Sequence, residues 1–377
     1  MRVLFLTGGS PATVFAVAPL AAATRLAGHD VLVAAPADMT PMVTGVGLPA
    51  VAITGGAMLD FMFIDRSGRR LTLPADPAER VVFNGHGFGR LAAASLPALE
   101  ELAASWRPDL VVGGSLCYAA GLLAAKLGVP YVRHTWDLGE PPEMDRGAAA
   151  ELATELAALG RTELSVPDLW VDICPPALRA PGLPGPRQNM RFTPVNLQRP
   201  LEPWMYRAAR RRVCVTLGSR VTGADEIAHL TELITMVGSL DVEIVVAAPE
   251  PVAAALREGG VPAAHAGWLP LDVILPTCRV LVHHGGGQSA LNALRAGVAQ
   301  LLLPDIPKMV EPCERIARHG SAVVLVGEEQ SAGRITAAVA DLVSADSYTR
   351  RARDVRAEMA AQPAAAEVVG VLERLVR

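Results

Sequence analysis

The chain opens on a repeating alternation of short apolar runs and longer helical stretches. Val3-Leu4-Phe5-Leu6-Thr7 carries no charge, as expected of a strand buried in a parallel sheet. Gly8-Gly9-Ser10-Pro11 makes the turn, and Pro11 suits the first turn of a helix, where its missing N–H costs nothing. The pattern predicts a helix over 12–26 that stops at Gly28, then a strand over 31–35, which is a βαβ unit. Further strands are expected over 110–112 and 131–133, with a helix over 117–127 between them, and a last strand of this half over 169–173.

Residues 175–204 change character. They hold Pro175, Pro176, Pro181, Pro184, Pro186, Pro194, Pro200 and Pro203, and so cannot continue a helix or a central strand. After them the opening layout returns: Arg212-Val213-Cys214-Val215-Thr216-Leu217 runs into Gly218-Ser219, with a helix from about 225. Strands are expected over 242–247, 280–283, 300–303 and 322–326, and the stretch 348–377 has helical periodicity. This alternation specifies two doubly wound α/β domains with a cleft between them, over 1–198 and 212–358, joined by a connection over 199–211.

Composition narrows the class. A chain of 377 residues, 51% hydrophobic and 19% charged, can bury two ordinary cores; with 4% aromatics these must be built mainly from Ala, Val and Leu. The net charge of -4 gives no basic stripe for nucleic acid. Arg207, Arg210, Arg211 and Arg212 read as a solvated helix end. The cysteines (Cys117, Cys174, Cys214, Cys278, Cys313) are odd in number, widely spaced and without a CxxC, which reads as reduced thiols in a cytoplasmic protein with no zinc site. Residues 3–24 are uncharged, yet the glycine turn and the continuation Arg25, Gly28, His29, Asp30 favour strand, turn and helix over a leader or a membrane span.

The strongest local signal is His283-His284-Gly285-Gly286-Gly287-Gln288-Ser289, between a predicted strand and a predicted helix. Glycines allow close backbone approach, and a helix N-terminus offers free N–H groups and a positive dipole end. His284 and Ser289 add side-chain donors. Together these suit a nucleotide diphosphate; the competing reading is a turn beside two structural histidines. No Gly-Lys-Ser/Thr follows, and Gly8-Gly9-Ser10 does not fit GxGxxG, which argues against a Walker loop and an NAD-dependent dehydrogenase. Ser10 and Ser219 stand at equivalent strand ends and either donate to phosphate from opposite walls of the cleft or act as ordinary helix N-caps.

The His284 motif resembles the diphosphate loop of family-one glycosyltransferases of the GT-B fold. The likeness extends to Gly267-Trp268-Leu269-Pro270-Leu271 and Leu301-Leu302-Leu303-Pro304. Nearly the whole chain is similar to actinomycete angucycline glycosyltransferases of the urdamycin and landomycin type, including Gly9-Ser10-Pro11-Ala12-Thr13-Val14-Phe15, Thr135-Trp136-Asp137, Asp172-Ile173-Cys174-Pro175-Pro176 and Leu201-Glu202-Pro203-Trp204-Met205-Tyr206. The resemblance implies a GT-B architecture in which the end of the chain, over 359–377, crosses back onto the first domain. It implies that His284, Ser289 and the backbone N–H groups of Gly286, Gly287 and Gln288 hold the diphosphate, completed by Ser10 and Ser219. Trp268 and Leu269 would flank the base, against the alternative of a plain core tryptophan. The donor would be a dTDP-deoxysugar, dTDP-olivose by preference, and the acceptor an aromatic polyketide. No cofactor, metal, nucleic acid or membrane is expected. A homodimer is compatible with the family, and the sequence leaves the oligomeric state open.

Two departures from the general family bear on mechanism. Thr13 stands in register with the catalytic histidine of many members, and Lys308-Met309 with an Asp-Gln pair that grips sugar hydroxyls. Glycosyl transfer needs a base, tolerance of an oxocarbenium-like centre and a stabilised leaving group. With Thr13 unable to serve, the preferred base is Asp137, at the end of the predicted strand 131–135 beside Trp136; the competing role is structural. His134 and His86, the latter read as part of a loop over the acceptor, are the other candidates. The acceptor wall is expected from Gly55, Met58, Phe61, Phe83 and His86 within the apolar, glycine-rich stretch 53–90, against simple core packing. O-glycosylation is preferred to C-glycosylation of the same ring because Gly55 and Gly56 leave room for a tilted acceptor. The rivals are a nucleotide-sugar epimerase of the same fold and an inactive helper protein.

Overall fold

The computed structural model describes residues 1–180, 185–209, 211–219 and 223–377. Pro181, Pro184 and Arg210, named above, lie outside these. The chain divides into two compact units. Unit 1 comprises Met1–Cys174, Arg179–Val195 and Gln362–Arg377; unit 2 comprises Pro175–Leu178 and Asn196–Ala361.

Among the described residues, unit 1 holds strands β1 (Arg2–Leu6), β2 (Asp30–Pro36), β3 (Ala50–Thr54), β4 (Leu110–Gly114), β5 (Tyr131–His134), β6 (Leu169–Asp172) and β7 (Arg187–Asn189). Its helices are α1 (Pro11–Leu26), α2 (Thr40–Gly45), α3 (Met58–Phe63), α4 (Pro77–Ser105), α5 (Ala119–Leu127), α6 (Glu143–Glu151) and α7 (Ala153–Ala158). Unit 2 holds β8 (Arg212–Thr216), β9 (Glu243–Ala247), β10 (His265–Gly267), β11 (Val280–His283), β12 (Ala299–Leu302) and β13 (Ala322–Val324). Its helices are α8 (Pro203–Tyr206), α9 (Ala224–Gly238), α10 (Glu250–Glu258), α11 (Leu271–Ile274), α12 (Gly287–Ala296), α13 (Pro307–Arg318), α14 (Ala332–Ser344) and α15 (Asp346–Ala360), and α16 (Ala365–Val376) follows in unit 1.

Both sheets are parallel and doubly wound. Their strand orders are β3-β2-β1-β4-β5-β6-β7 and β10-β9-β8-β11-β12-β13. Leu4 pairs with Leu32 on one side and Val111 on the other, and Val3, Leu4 and Phe5 are all fully buried. In unit 2 the period-two alternation sorts side chains to two cores. Val213, Val215 and Val282 meet α9 and α14, whereas Cys214, Val245 and Leu281 meet Leu269, Ile274 and Ala293. Each order reverses once, between β1 and β4 and between β8 and β11, and ligands of open α/β sheets bind outside the carboxyl ends of strands at such points.

The opening uncharged stretch folds as β1 and α1, and no described helix is long and apolar enough to cross a membrane. The stretch 348–377 is helical but broken near 361–364, and α16 packs on α1 with His29 Nε2 2.9 Å from Glu373 Oε1. The described cysteines are all free thiols, and four of the five are buried.

Several expectations need correction. Strand 169–173 is not the last of its half, because β7 pairs beyond it; Trp170 N donates to Pro186 O at 2.8 Å, so a proline is accommodated at the sheet edge. The arginine cluster is not a solvated helix end. Arg212 is buried in β8, where it donates to Trp204 O at 3.0 Å and Thr277 Oγ1 at 2.6 Å and pairs with Glu243 at 2.9 Å; Arg207 and Arg211 are exposed. His86 is in no loop. It lies within α4, a 29-residue helix that runs straight through Gly85, Gly87 and Gly89.

Those glycines are contact points. A Cβ at Gly85 would stand 2.2 Å from Met144 O of α6, and one at Gly147 of α6 would stand 2.2 Å from Val82 O. A Cβ at Gly87 would meet Met62 Sδ of α3 at 2.3 Å. Glycine lowers helix propensity by about 1 kcal/mol per residue; here the loss is offset by backbone-to-backbone packing that no other residue permits. Each sheet also buries one histidine at a strand end: His134 closes β5 and His283 closes β11, and neither has exposed surface.

Two measurements check this reading. Gly147→Ala should lower stability by roughly 1–3 kcal/mol in urea unfolding, since the obstacle is backbone; an unchanged midpoint would show that α4 and α6 separate freely. Burial holds the His134 imidazole down at about 4 and His283 at about 3, against 6.5 for the ordinary group. The unfolded chain therefore takes up these protons first as the pH falls. Stability should decline from about pH 6.5 downward, by roughly 1.4 kcal/mol per pH unit for each histidine, until about 4 for His134 and 3 for His283. A His283→Gln variant should show a shallower decline between pH 7 and 5, and an equal decline would refute the assignment.

Candidate active site

At the switch point of unit 2, the loop after β11 is built around the ring of His284. A Cβ at Gly218, just past β8, would lie 2.7 Å from this imidazole, and one at Gly286 would lie 2.5 Å from it. The ring thus occupies space that two glycines leave open, one on each side of the reversal. Gly218 and Gly285 take the left-handed backbone, with φ of +87° and +81°. A side chain at Gly285 would also strike Cys313 Sγ at 2.7 Å. Of the three glycines, then, Gly285 serves the turn and its packing, and Gly286 makes room for histidine. Gly286 is the N-cap of α12, whose first turn has no acidic residue. His284, Gly286, Gly287, Gln288 and Ser289 are all half-buried, so the start of the helix is accessible.

The two adjacent histidines differ in kind. His283 points to the neighbouring strand, its Nε2 3.0 Å from Gln300 Oε1, and burial keeps it neutral. Only His284 lies at the accessible rim. Ser219 follows Gly218 in the same loop but is not a helix N-cap; Gly223 holds that place.

Trp268 and Leu269 follow β10. The Leu269 side chain belongs to a core cluster, which leaves its backbone for any contact, whereas Trp268 is half-buried with an indole N–H that finds no acceptor among the described residues. A pocket of about 750 Å³ runs along β10 and is lined by Trp268, Glu250, Arg257 and the stacked pair Trp204–His265, whose rings lie 3.6 Å apart.

The switch point of unit 1 follows the same plan with a different ring. A Cβ at Gly8, after β1, would lie 3.0 Å from Trp136, and one at Gly114, ending β4, would lie 1.8 Å from its Nε1. Phe88 of α4 packs on the indole at 6.0 Å. Ser10 occupies the N-cap position of α1 without a side-chain capping bond. Thr13 is buried and donates to Ser10 O at 2.7 Å and Gly8 O at 3.0 Å, so it is committed to the loop.

Asp137 directly follows Trp136, half-buried, and its Oδ1 accepts from Gly139 N at 3.3 Å. His134 is enclosed in the sheet, its Nδ1 2.7 Å from Thr135 O. His86 is partly exposed on α4, its Nδ1 3.3 Å from Glu151 Oε2. Of the expected acceptor wall, Met58 packs on Gly9, Phe61 on Gly56, and Phe83 on Phe63 at 5.9 Å. Gly55 is exposed with open space where a side chain would be, but the room at Gly56 is filled by the Phe61 ring, so only one of the two glycines leaves a gap.

Reading the sequence missed the residues that fix the end of β5. Ser115 Oγ accepts from Trp136 N at 3.1 Å, and Thr135 Oγ1 donates to Asp172 Oδ1 at 3.2 Å. The available signal was Gly114-Ser115 at a strand end, the same pair as Gly218-Ser219 and Gly9-Ser10.

Comparison with known proteins gives the family. Residues 22–218 and 231–375 match the N-terminal and C-terminal domains described as erythromycin biosynthesis protein CIII-like. The L-demethylnoviosyl transferase of Streptomyces niveus is 33% identical over 385 residues, covering 99% of each chain. The TDP-daunosamine transferase DnrS of Streptomyces peucetius is 31% identical over 425 residues, covering 100% of this chain and 97% of its own. The crystal structure of the Streptomyces sp. SF2575 glycosyltransferase SsfS6, complexed with thymidine diphosphate, superposes with a TM-score of 0.88 at 33% identity over 99% of both chains. The two parallel-sheet units are those of GT-B glycosyltransferases, and the chain belongs to the erythromycin biosynthesis protein CIII-like family of glycosyltransferases.

Proposed function

We propose that this glycosyltransferase moves a deoxysugar, D-olivose by preference, from a dTDP-sugar to an aromatic polyketide of the angucycline class, with inversion and without a metal. The observation that carries the donor half is the His284 imidazole held between Gly218 and Gly286 at the open start of α12. In unit 2, helix N–H groups, His284, Ser289 and Ser219 would take the diphosphate, and Trp268 with the Leu269 backbone the thymine. Thymidine diphosphate in SsfS6 and the name of the daunosamine transferase support a TDP-linked donor. The acceptor half rests on Met58 against Gly9, Phe61 against Gly56, Phe83 against Phe63 and Phe88 against Trp136, with His86 on the same helix as Phe83 and Phe88.

In this reading Asp137 takes the proton of a phenolic hydroxyl, and the oxygen attacks the anomeric carbon. The bond to the diphosphate breaks, and its negative charge settles on the N-terminus of α12 and on His284. Lys308, in place of the sugar-gripping aspartate, suits a sugar that lacks hydroxyls. Attack by oxygen is preferred to attack by the ortho carbon because the open space at Gly55 allows the ring to tilt.

Three outcomes are expected. Asp137→Ala should cut turnover on the order of 100-fold with little change in dTDP affinity; wild-type turnover would move the role to His86. By calorimetry, His284→Ala should bind dTDP at least several-fold more weakly, and undiminished affinity would defeat the phosphate assignment. Incubation with dTDP-olivose and a tetracyclic phenol should give a product whose anomeric carbon is bonded to oxygen by NMR, whereas a carbon–carbon linkage would reverse the preference.

A further inference from the structure

The end of β5 is more tightly tied than a strand end needs to be, and the ties lead directly up to Asp137. Thr135 Oγ1 donates to Asp172 Oδ1 at 3.2 Å and accepts from Ile173 N at 3.0 Å. The Asp172 carboxylate is itself buried; its Oδ1 accepts from Cys174 N at 2.9 Å, and its Oδ2 is ion-paired with Arg179 Nε at 2.8 Å and Arg187 Nη1 at 3.5 Å. Thr135 N donates to Val171 O at 2.9 Å, so residue 135 is fastened to β6 by backbone and side chain together. On the other flank, Trp136 N donates to Ser115 Oγ, and Arg133 Nε donates to Ser115 O at 2.7 Å.

A buried carboxylate with two arginines and a backbone amide is costly to assemble and fails badly when a partner is lost. Here it grips Thr135, the first residue past β5 and the one before Trp136-Asp137. We infer that Asp172, acting through the Thr135 hydroxyl, is the positioning residue that sets the place of the Asp137 carboxylate. This rests on the reading of Asp137 as base. The arrangement fixes Thr135 from one side and Trp136 from the other, so the backbone that carries Asp137 leaves the sheet from a fixed point. A base displaced by about 1 Å can lose up to 100-fold in rate without any change in donor binding.

The test is Thr135→Val, which keeps the shape and removes the hydroxyl. Turnover should fall roughly 10- to 100-fold, with the donor KM and the calorimetric dTDP affinity within two-fold of wild type. Thr135→Ser, which restores the hydroxyl, should return turnover to within about three-fold. In an Asp137→Ala background, Thr135→Val should have no further effect, because groups that act as a unit are not additive. Should Thr135→Val fail to fold, Asp172→Asn and Thr135→Ser carry the same comparison. Wild-type turnover in folded Thr135→Val or Asp172→Asn, or an undiminished further loss in the Asp137→Ala background, overturns the inference. Wild-type turnover in Asp137→Ala alone would instead remove the base assignment beneath it, and the two failures are distinct.

Discussion

A flat ring can lie across the end of a strand only where the backbone beneath it carries no Cβ. Both sheets meet this constraint at the place where their strand order reverses. Gly8 and Gly114 admit Trp136 in unit 1, and Gly218 and Gly286 admit His284 in unit 2. The positions of the candidate site residues are inherited from these two seats. Asp137 stands where it does because it follows a wedged indole, and α12 begins where it does because its cap residue yields to an imidazole. A Cβ at Gly114, Gly218 or Gly286 would stand 1.8, 2.7 or 2.5 Å from the ring it faces, whereas one at Gly8 would stand 3.0 Å away and ask the ring to give only slightly.

The central strands and the helices between them were legible because a strand buried on both faces must be free of charge, as Val3-Leu4-Phe5-Leu6 and Val280-Leu281-Val282 are. The edges were not. β7 is Arg187-Gln188-Asn189 and β10 is His265-Ala266-Gly267; neither has an apolar pattern, since an edge strand owes its place to a neighbour's backbone. α4 escaped notice because Gly85, Gly87 and Gly89 look like loop punctuation until a second helix lies against them. Arg212 looked solvated because the groups that satisfy it, Glu243 and Thr277, are 31 and 65 residues away along the chain.

The candidate site divides in the same manner. His284 and Asp137 could be named because each follows a predicted strand, and Ser289 because it lies in the first turn of the helix that comes next; the carboxyl ends of parallel strands are where ligands of such sheets bind. The supporting residues could not, because Thr135 finds Asp172 only through the register of β5 on β6. The neighbouring histidines show how one strand residue separates two duties. His283 is the last residue of β11 and turns to Gln300, and its protonation threatens the fold; His284 is already past the strand and is spared that duty.

The helix α16 has a consequence for how the molecule is made. It covers α1, an element of the opening βαβ unit, yet it is translated only after the whole of unit 2. During synthesis the face of α1 that will receive it stays uncovered while Asn196–Ala361 emerges, and the His29–Glu373 contact can form only after that. Unit 1 is therefore first to begin folding and last to be sealed.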